Sequence, residues 1–320
     1  MKLKQLGVLL TALLVVTAIF LLVRPKQKPY QPYTTPFNGL NTSTKTAEAP
    51  RVRVELIKQS AKYIFEGNDG KWEAVYPFNF PADQKLLNEF VDIVKKLEVG
   101  EVISIREDKQ NEYQVSQNNK RLQVMVYEGT KKEPAISFFV GKESTDYKVS
   151  FFRYSNSKEI RTCKGLYPIV IDRIFRDWLN RKIFTIKKED VEQIKLIYPN
   201  ETLLLKKNGY KWNASTPLYS ITGDKSKLDA YIDTVVNFEF DDCVEQGNIT
   251  DFKPYGLTEG QAKANFQLEI KSKNKTEKIL IGNKADQYRY FYRKAGLPEV
   301  FIISVFRIDN RIKKILSEFK

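Results

Sequence analysis

"NDGKWEAVYP", residues 68–77, returns at residues 208–217 as "NGYKWNASTP", with Asn, Lys, Trp and Pro in the same register. Alone, either stretch reads as a tight Asn-containing turn feeding a strand. Its recurrence asks whether one structural unit is used twice, a question that precedes any reading of motifs. Upstream the agreement continues without a gap, Val54 to Trp72 against Ile194 to Trp212. The pairs Val54/Ile194, Leu56/Leu196, Ile57/Ile197, Ile64/Leu204 and Phe65/Leu205 are apolar in both copies. Each stretch therefore predicts a hairpin that ends in a Trp-bearing strand.

Downstream, Pro77 matches Pro217, one residue is inserted, and Asp83 then matches Asp224. Leu87, Phe90, Val91, Val94 and Leu97 follow at helical spacing, and Leu228, Tyr231, Ile232, Val235 and Phe238 repeat the stripe. Such spacing gathers the apolar residues on one helix face. Asp83 and Asp224 stand at the N-cap position, where a carboxylate accepts from the first unpaired amides. Strand patterns return after each helix: "RLQVMVYEG" and "PAISFFVGK" face "ANFQLEIKS" and "EKILIGNK", with Gly141 and Gly282 closing corresponding strands. Aromatic strands come next, "DYKVSFFRY" and "QYRYFYRK", and the stretches "IVIDRIFRDWLNRKIF" and "VFRIDNRIKKILSEF" read as closing helices. The expected class is α+β, because strands succeed one another without crossover helices. It comprises two tandem homologous repeats, residues 51–185 and 186–320, each a mainly antiparallel sheet with packed helices.

At 320 residues there is room for two cores. A hydrophobic content of 42%, with 20 Phe and 17 Tyr, points to folded material rather than disorder. The net charge is +14. Lys and Arg are interspersed with Asp and Glu and form no dense basic run, so the excess reads as a solvated Lys-rich surface. No nucleic-acid partner is expected. The chain has no His, which removes Ser-His-Asp and Cys-His schemes and every His-metal site. Cys163 and Cys243 are too few for a four-Cys zinc site and occupy non-equivalent places in the repeats, so they read as unpaired thiols. No metal and no cofactor is expected.

Leu6 to Val23 is uncharged, bounded by Lys4 and Arg24, and just long enough for a helix to cross a bilayer core. Its end, Phe-Leu-Leu-Val-Arg-Pro, offers no small-residue cleavage site, and no Cys follows it. Residues 1–24 therefore read as an uncleaved signal anchor. Cations flank both sides, so charge barely sets the orientation. The short tail favours N-terminus inside, with the C-terminal domain extracytoplasmic on the cytoplasmic membrane. Residues 25–50 are Pro-rich and read as a semi-rigid linker that reaches up to roughly 80 Å.

Lys-x-Trp, then Pro, then an Asp opening a helix, then "PYGL" (Pro254 to Leu257) before paired strands is an order that resembles a bacterial family of membrane-anchored proteins, the domain of unknown function 4340. The resemblance covers most of residues 51–320, as two copies. Copy one departs from it with "EYQV" (Glu112 to Val115), so that turn is not expected to be a duplicated site. Members of the family often accompany ABC-type transport components of the gliding-motility auxiliary kind. The resemblance thus implies an accessory role near an export or motility complex, and it carries over no catalytic or cofactor-binding residues.

Trp72 and Trp212 have rings suited to stacking on sugars or bases, but a Trp that follows a hairpin turn reads first as packing. The repeated acids Asp83/Asp224, Asp92/Asp233 and Glu98/Glu239 suggest glycoside chemistry, yet caps and polar helix faces account for them. No catalytic residue is expected. Alternation on the last aromatic strand sets Tyr288, Tyr290 and Tyr292 on one face, with Arg289, Phe291 and Arg293 on the other. Tyr and Arg anchor protein interfaces, so Tyr288, Tyr290, Tyr292, Arg289 and Arg293 form the expected interaction surface. The functional expectation is a non-enzymatic, single-pass membrane protein that docks on an ABC-type transport or envelope complex. The alternatives are a glycan- or ligand-binding module using the aromatic strands and a carboxylate-dependent envelope glycan hydrolase.

Overall fold

The computed structural model describes residues 33–39, 52–68, 70–243, 249–258 and 266–320. The anchor expected at 1–24 and most of the linker at 25–50 lie outside the described residues. Among the described residues no helix is long and apolar enough to cross a membrane.

Repeat one opens with strands β1 (Val52–Ile57), β2 (Lys62–Asn68), β3 (Lys71–Tyr76) and β4 (Phe80–Pro81). Helix α1 (Gln84–Lys95), strand β5 (Glu98–Ser104) and the short α2 (Asp108–Glu112) follow. Then come β6 (Leu122–Glu128), β7 (Ile136–Glu143), β8 (Ser150–Tyr154), β9 (Ile160–Lys164) and one turn of helix, α3 (Pro168–Ile171). Repeat two runs β10 (Gln193–Ile197), β11 (Thr202–Asn208), β12 (Lys211–Ser215), β13 (Ser220–Thr222), helix α4 (Lys225–Val236) and β14 (Asp242–Cys243). It continues through β15 (Phe266–Lys271), β16 (Thr276–Lys284), β17 (Arg289–Lys294) and β18 (Phe301–Ser304).

Each repeat builds one antiparallel sheet of nine strands, in the orders β4-β3-β2-β1-β6-β7-β8-β9-β5 and β13-β12-β11-β10-β15-β16-β17-β18-β14. Strand for strand the two orders are the same. In the centre, Val54 pairs with Phe65 and Val126, while Ile194 pairs with Leu205 and Ile270. These residues are fully buried, as are Leu87, Phe90 and Val94 of α1 and Leu228 and Val235 of α4. Truncating one of them to Ala typically costs about 2–5 kcal/mol. The Asp83 and Asp224 side chains each accept the amide three residues on, at 2.9 Å in both helices. One apolar cluster runs through both repeats, so they share a core.

The closing helices do not form as continuous elements. After α3, repeat one makes a 3-10 turn at Phe175–Trp178, and repeat two makes a π-helical turn at Arg307–Ile312 and a 3-10 turn at Leu316–Phe319. The backbone groups a helix would use are engaged elsewhere. The Trp178 carbonyl accepts from the Asp83 amide at 2.9 Å, and the Asn180 amide donates to the Pro81 carbonyl at 2.9 Å. In repeat two the Phe319 carbonyl accepts from the Asp224 amide at 2.8 Å.

Each repeat also begins earlier than its first strand. Within the Pro-rich stretch, Thr34 bonds Val99 in both directions (3.0 and 2.8 Å), and Phe37 is buried with its ring stacked 5.4 Å from Phe138. Repeat two repeats the device: Ile183 donates to the Phe238 carbonyl at 3.0 Å, Phe240 donates to the Arg181 carbonyl at 3.1 Å, and Phe184 is buried.

Glu277 clamps the second leading segment. Its carboxylate, 3% exposed, accepts from the amides of Thr185 (2.7 Å) and Ile186 (3.2 Å), the Thr185 hydroxyl (3.1 Å) and Lys294 Nζ (2.6 Å). Lys275 Nζ lies 3.1 Å away. Burial alone raises such a carboxyl, but Lys294, the Thr185 amide and Lys275 outweigh it and hold Glu277 at about 2. The registers put Ile136 at the equivalent place in repeat one.

Candidate functional site

Trp72 is 1% exposed, its indole Nε1 donates to Asn88 Oδ1 at 2.8 Å, and its amide donates to Gln84 Oε1. Trp212 is 6% exposed in the matching pocket of repeat two. The Ala82 and Gly223 amides donate to the Trp72 and Trp212 carbonyls at 3.2 and 2.9 Å, which ties the edge of each sheet to its Trp strand. Neither ring is offered to a ligand. Among the repeated acids, Asp233 pairs with Lys188 at 2.5 Å, Glu98 with Lys164 at 3.7 Å and Glu239 with Arg181 at 3.1 Å. Among the described residues no group of three or more Cys, Asp or Glu side chains is placed to hold a metal. Cys163 is buried and Cys243 half-buried, and no disulfide joins them. Burial pushes the Cys163 thiol up to about 12.

Gly141 and Gly282 mark a duplicated feature that motif spelling hid. A Cβ on Gly141 would stand 1.8 Å from the Tyr113 carbonyl oxygen, and one on Gly282 would stand 2.0 Å from that of Tyr255. The adjacent amides of Lys142 and Asn283 donate to those carbonyls at 3.2 and 2.8 Å. Gln114 adopts φ 58° where Gly256 adopts φ 67°, and Val115 and Leu257 are both buried beneath the turn. "EYQV" and "PYGL" therefore form the same turn over the back of each sheet. The turn's backbone is thus shared although its residues differ: Gln takes the left-handed conformation that Gly takes more readily.

The aromatic strand β17 alternates as expected, but its Tyr face looks inward. Tyr290 and Tyr292 are 7% and 2% exposed; Tyr292 stacks on Phe301 at 5.2 Å, and the Tyr290 hydroxyl reaches Asp309 at 3.1 Å. Burial pushes the Tyr292 phenol well above its usual value. On the other face Arg293 lies 3.7 Å over the Phe252 ring and donates to the Leu297 carbonyl at 2.9 Å. Only Tyr288, 69% exposed, and Arg289, paired with Asp286 at 2.6 Å, remain at the surface. The five residues do not assemble into one face, because the sheet buries its Tyr side against the core and covers its Arg side with the Phe252 turn.

A surface of different origin stands at the joint between repeats. The β4 edge of repeat one seats on repeat two through Phe80, whose ring lies 5.7 Å from Phe240 and 5.3 Å from Phe301, and Arg176 pairs with Asp242 at 3.0 Å. Beside it lies a cleft of about 450 Å³ lined by Tyr63, Tyr76, Phe78, Phe175 and Cys243. The corresponding edge of repeat two is β13, where Ile221 takes the place of Phe80 and pairs with Ala214 as Phe80 pairs with Ala74. In the turn that leads into it, Leu218 and Tyr219 are 83% and 69% exposed. On the seat, by contrast, the position of Phe301 is held in repeat one by Arg161, paired with Glu159 at 2.7 Å. The sequence signal for this edge was the insertion after Pro217, which falls in the β12–β13 turn. A second feature, a groove of about 930 Å³ with a lysine wall, was spread through "LLLKKNGYK" and "IKSKNKTEK" and so escaped notice as a basic run.

A family model described as Domain of unknown function (DUF4340) matches residues 72–260. The matched span runs from Trp72 of repeat one to just past the "PYGL" turn of repeat two. No curated protein and no solved structure matches the chain.

Proposed function

The chain belongs to the domain of unknown function 4340 family, and from that premise we propose that it is a non-enzymatic, membrane-anchored accessory protein that docks a protein partner of a transport or envelope complex. In this reading residues 1–24 hold the chain on the cytoplasmic membrane and the two repeats stand on its extracytoplasmic side. One observation carries the docking role. The β13 edge of repeat two is the counterpart of the edge by which repeat one holds its neighbour, yet Leu218 and Tyr219 stand exposed beside it. Exposed apolar residues gathered at an edge strand favour association, both through apolar burial and through unpaired backbone groups. The partner that fits is a protein with an apolar seat resembling Phe240 and Phe301. A second copy of repeat one fits poorly, because Arg161 brings charge to that seat.

The test is photo-crosslinking from Tyr219 in native membranes, followed by purification of the adduct. A single membrane-complex protein captured from Tyr219, and lost with Leu218→Asp, is expected. Recovery of the chain alone from membranes, with no adduct at that position, refutes the docking reading. The glycan- or ligand-binding alternative is favoured only by the aromatic cleft beside Tyr76 and Phe78. A flat Trp or Tyr fluorescence titration with soluble glycan removes it.

A further inference from the structure

The groove of about 930 Å³ lies at one end of the repeat-two sheet, between the leading segment at 185–193 and the tips of two hairpins. Lys206 and Lys207 come from the end of β11, Lys271 from the end of β15, Lys273 and Lys275 from the next turn, and Lys187 from the leading segment. The registers pair Gln193 with Lys206 on one side and with Lys271 on the other. Cross-strand partners share a face, so these two ammonium groups flank Gln193 with their backbones about 10 Å apart, two strand spacings. Lys275 is committed to Glu277 at 3.1 Å. Among the described residues Lys187, Lys206, Lys207, Lys271 and Lys273 have no ion-pair partner. Glu189, Asp190 and Glu192 also line the groove, but all three belong to the leading segment, so every charged residue on the opposite wall is a lysine.

Repeat one supplies an internal control. The same three-strand row there reads Glu66, Arg53, Tyr127, with the Arg53 guanidinium 3.9 Å from the centre of the Tyr127 ring. The fold is thus satisfied by Glu, Gly67 and Tyr where repeat two has Lys206, Lys207 and Lys271. Folding does not require lysine at these positions, and placing unpaired like charges along one wall costs self-repulsion. We infer that this groove binds an extended polymer of phosphate groups along its lysine wall.

The side-chain chemistry selects that class. All the cations are ammonium point charges; none is the planar guanidinium suited to bidentate recognition of a defined carboxylate. No aromatic residue lines the groove, so there is no platform for stacking nucleobases, and the phosphate backbone is what it reads. The concave shape accepts a linear chain and presents no convex face to a flat bilayer. Binding proceeds by release of counterions, so it weakens steeply with salt.

The experiment uses the full chain in neutral detergent and sodium polyphosphate as the probe, with affinity measured by titration calorimetry from about 50 to about 400 mM salt. Expected is binding that falls linearly in log affinity against log salt. Installing the repeat-one residues, Lys206→Glu, Lys207→Gly and Lys271→Tyr together, is expected to weaken binding at least about 30-fold near 0.1 M salt and to reduce the slope by about 2. Lys→Gln at the same three positions, expected to weaken binding by a similar factor, covers any failure of the first variant to fold. Unchanged affinity in the folded Lys→Gln variant overturns the inference, as does absence of polyphosphate binding at about 50 mM salt. Capture of phosphatidylglycerol vesicles without capture of polyphosphate overturns it in favour of a membrane surface.

Discussion

Glu277→Gln tests how the leading segment of repeat two is fastened to its sheet. The carboxylate is nearly enclosed, and it accepts from two amides, a hydroxyl and two lysines that hold it at about 2 against an ordinary 4.5. At about 1.4 kcal/mol per pH unit this gap corresponds to about 3 kcal/mol of stability. Lys275 is 51% exposed and screened by salt, so the expected loss in the variant is about 2–3 kcal/mol at pH 7. The sign follows from the depressed carboxyl. Its contribution is complete above pH 4.5, declines as pH falls, and is gone below about pH 2. Urea unfolding followed by Trp fluorescence, on both proteins from pH 7 down to about pH 2.5, reads the difference directly. The gap between the two proteins should close across that range. A gap that is the same at both ends, or one below about 0.5 kcal/mol at pH 7, refutes the clamp. The pair Glu277→Ile with Lys294→Tyr imports Ile136 and Tyr154 from repeat one; it should unfold with no dependence on pH from this site.

Three further outcomes follow from the geometry. Gly282→Ala drives a Cβ against the Tyr255 carbonyl and should cost about 2–4 kcal/mol in thermal unfolding; an unchanged midpoint contradicts the close approach. Gln114→Gly relieves a left-handed residue at φ 58° and should raise stability by about 0.5–1 kcal/mol, read in the same assay, whereas a loss contradicts it. In the folded protein a soluble disulfide reagent should label Cys243 well before Cys163, whose thiol is buried and pushed up to about 12; equal labelling rates contradict that burial.

The elements legible in the sequence were those whose burial repeats at a fixed period. The stripe from Leu87 to Val94 and its copy from Leu228 to Val235 became α1 and α4, each opened by its Asp. The alternating strands became two sheets of identical order. The rest was hidden where tertiary partners replaced local ones. Trp178 and Asn180 give their backbone groups to β4 and its flank, so a helical pattern there yields turns. Alternation separated Tyr292 from Arg293 but carried no information about which side met the core. Phe37 lies in a stretch whose prolines and hydroxyl side chains suggest exposed chain, and only the Phe138 ring shows why it is buried. The lysine wall unites residues far apart in sequence, and the joint counterpart at β13 depends on comparing one repeat with the other in space.

The hold on Phe37 also makes the first leading segment a separable part of the fold. Two backbone hydrogen bonds at Thr34 and one buried ring fix the leading segment, a latch worth a few kcal/mol. Releasing it frees residues 33–39 without breaking a strand of either sheet. The core of the two repeats is left intact except where Phe37 was seated. A pull on residues 33–39 therefore meets the latch before it meets either sheet, and release of this segment precedes unfolding.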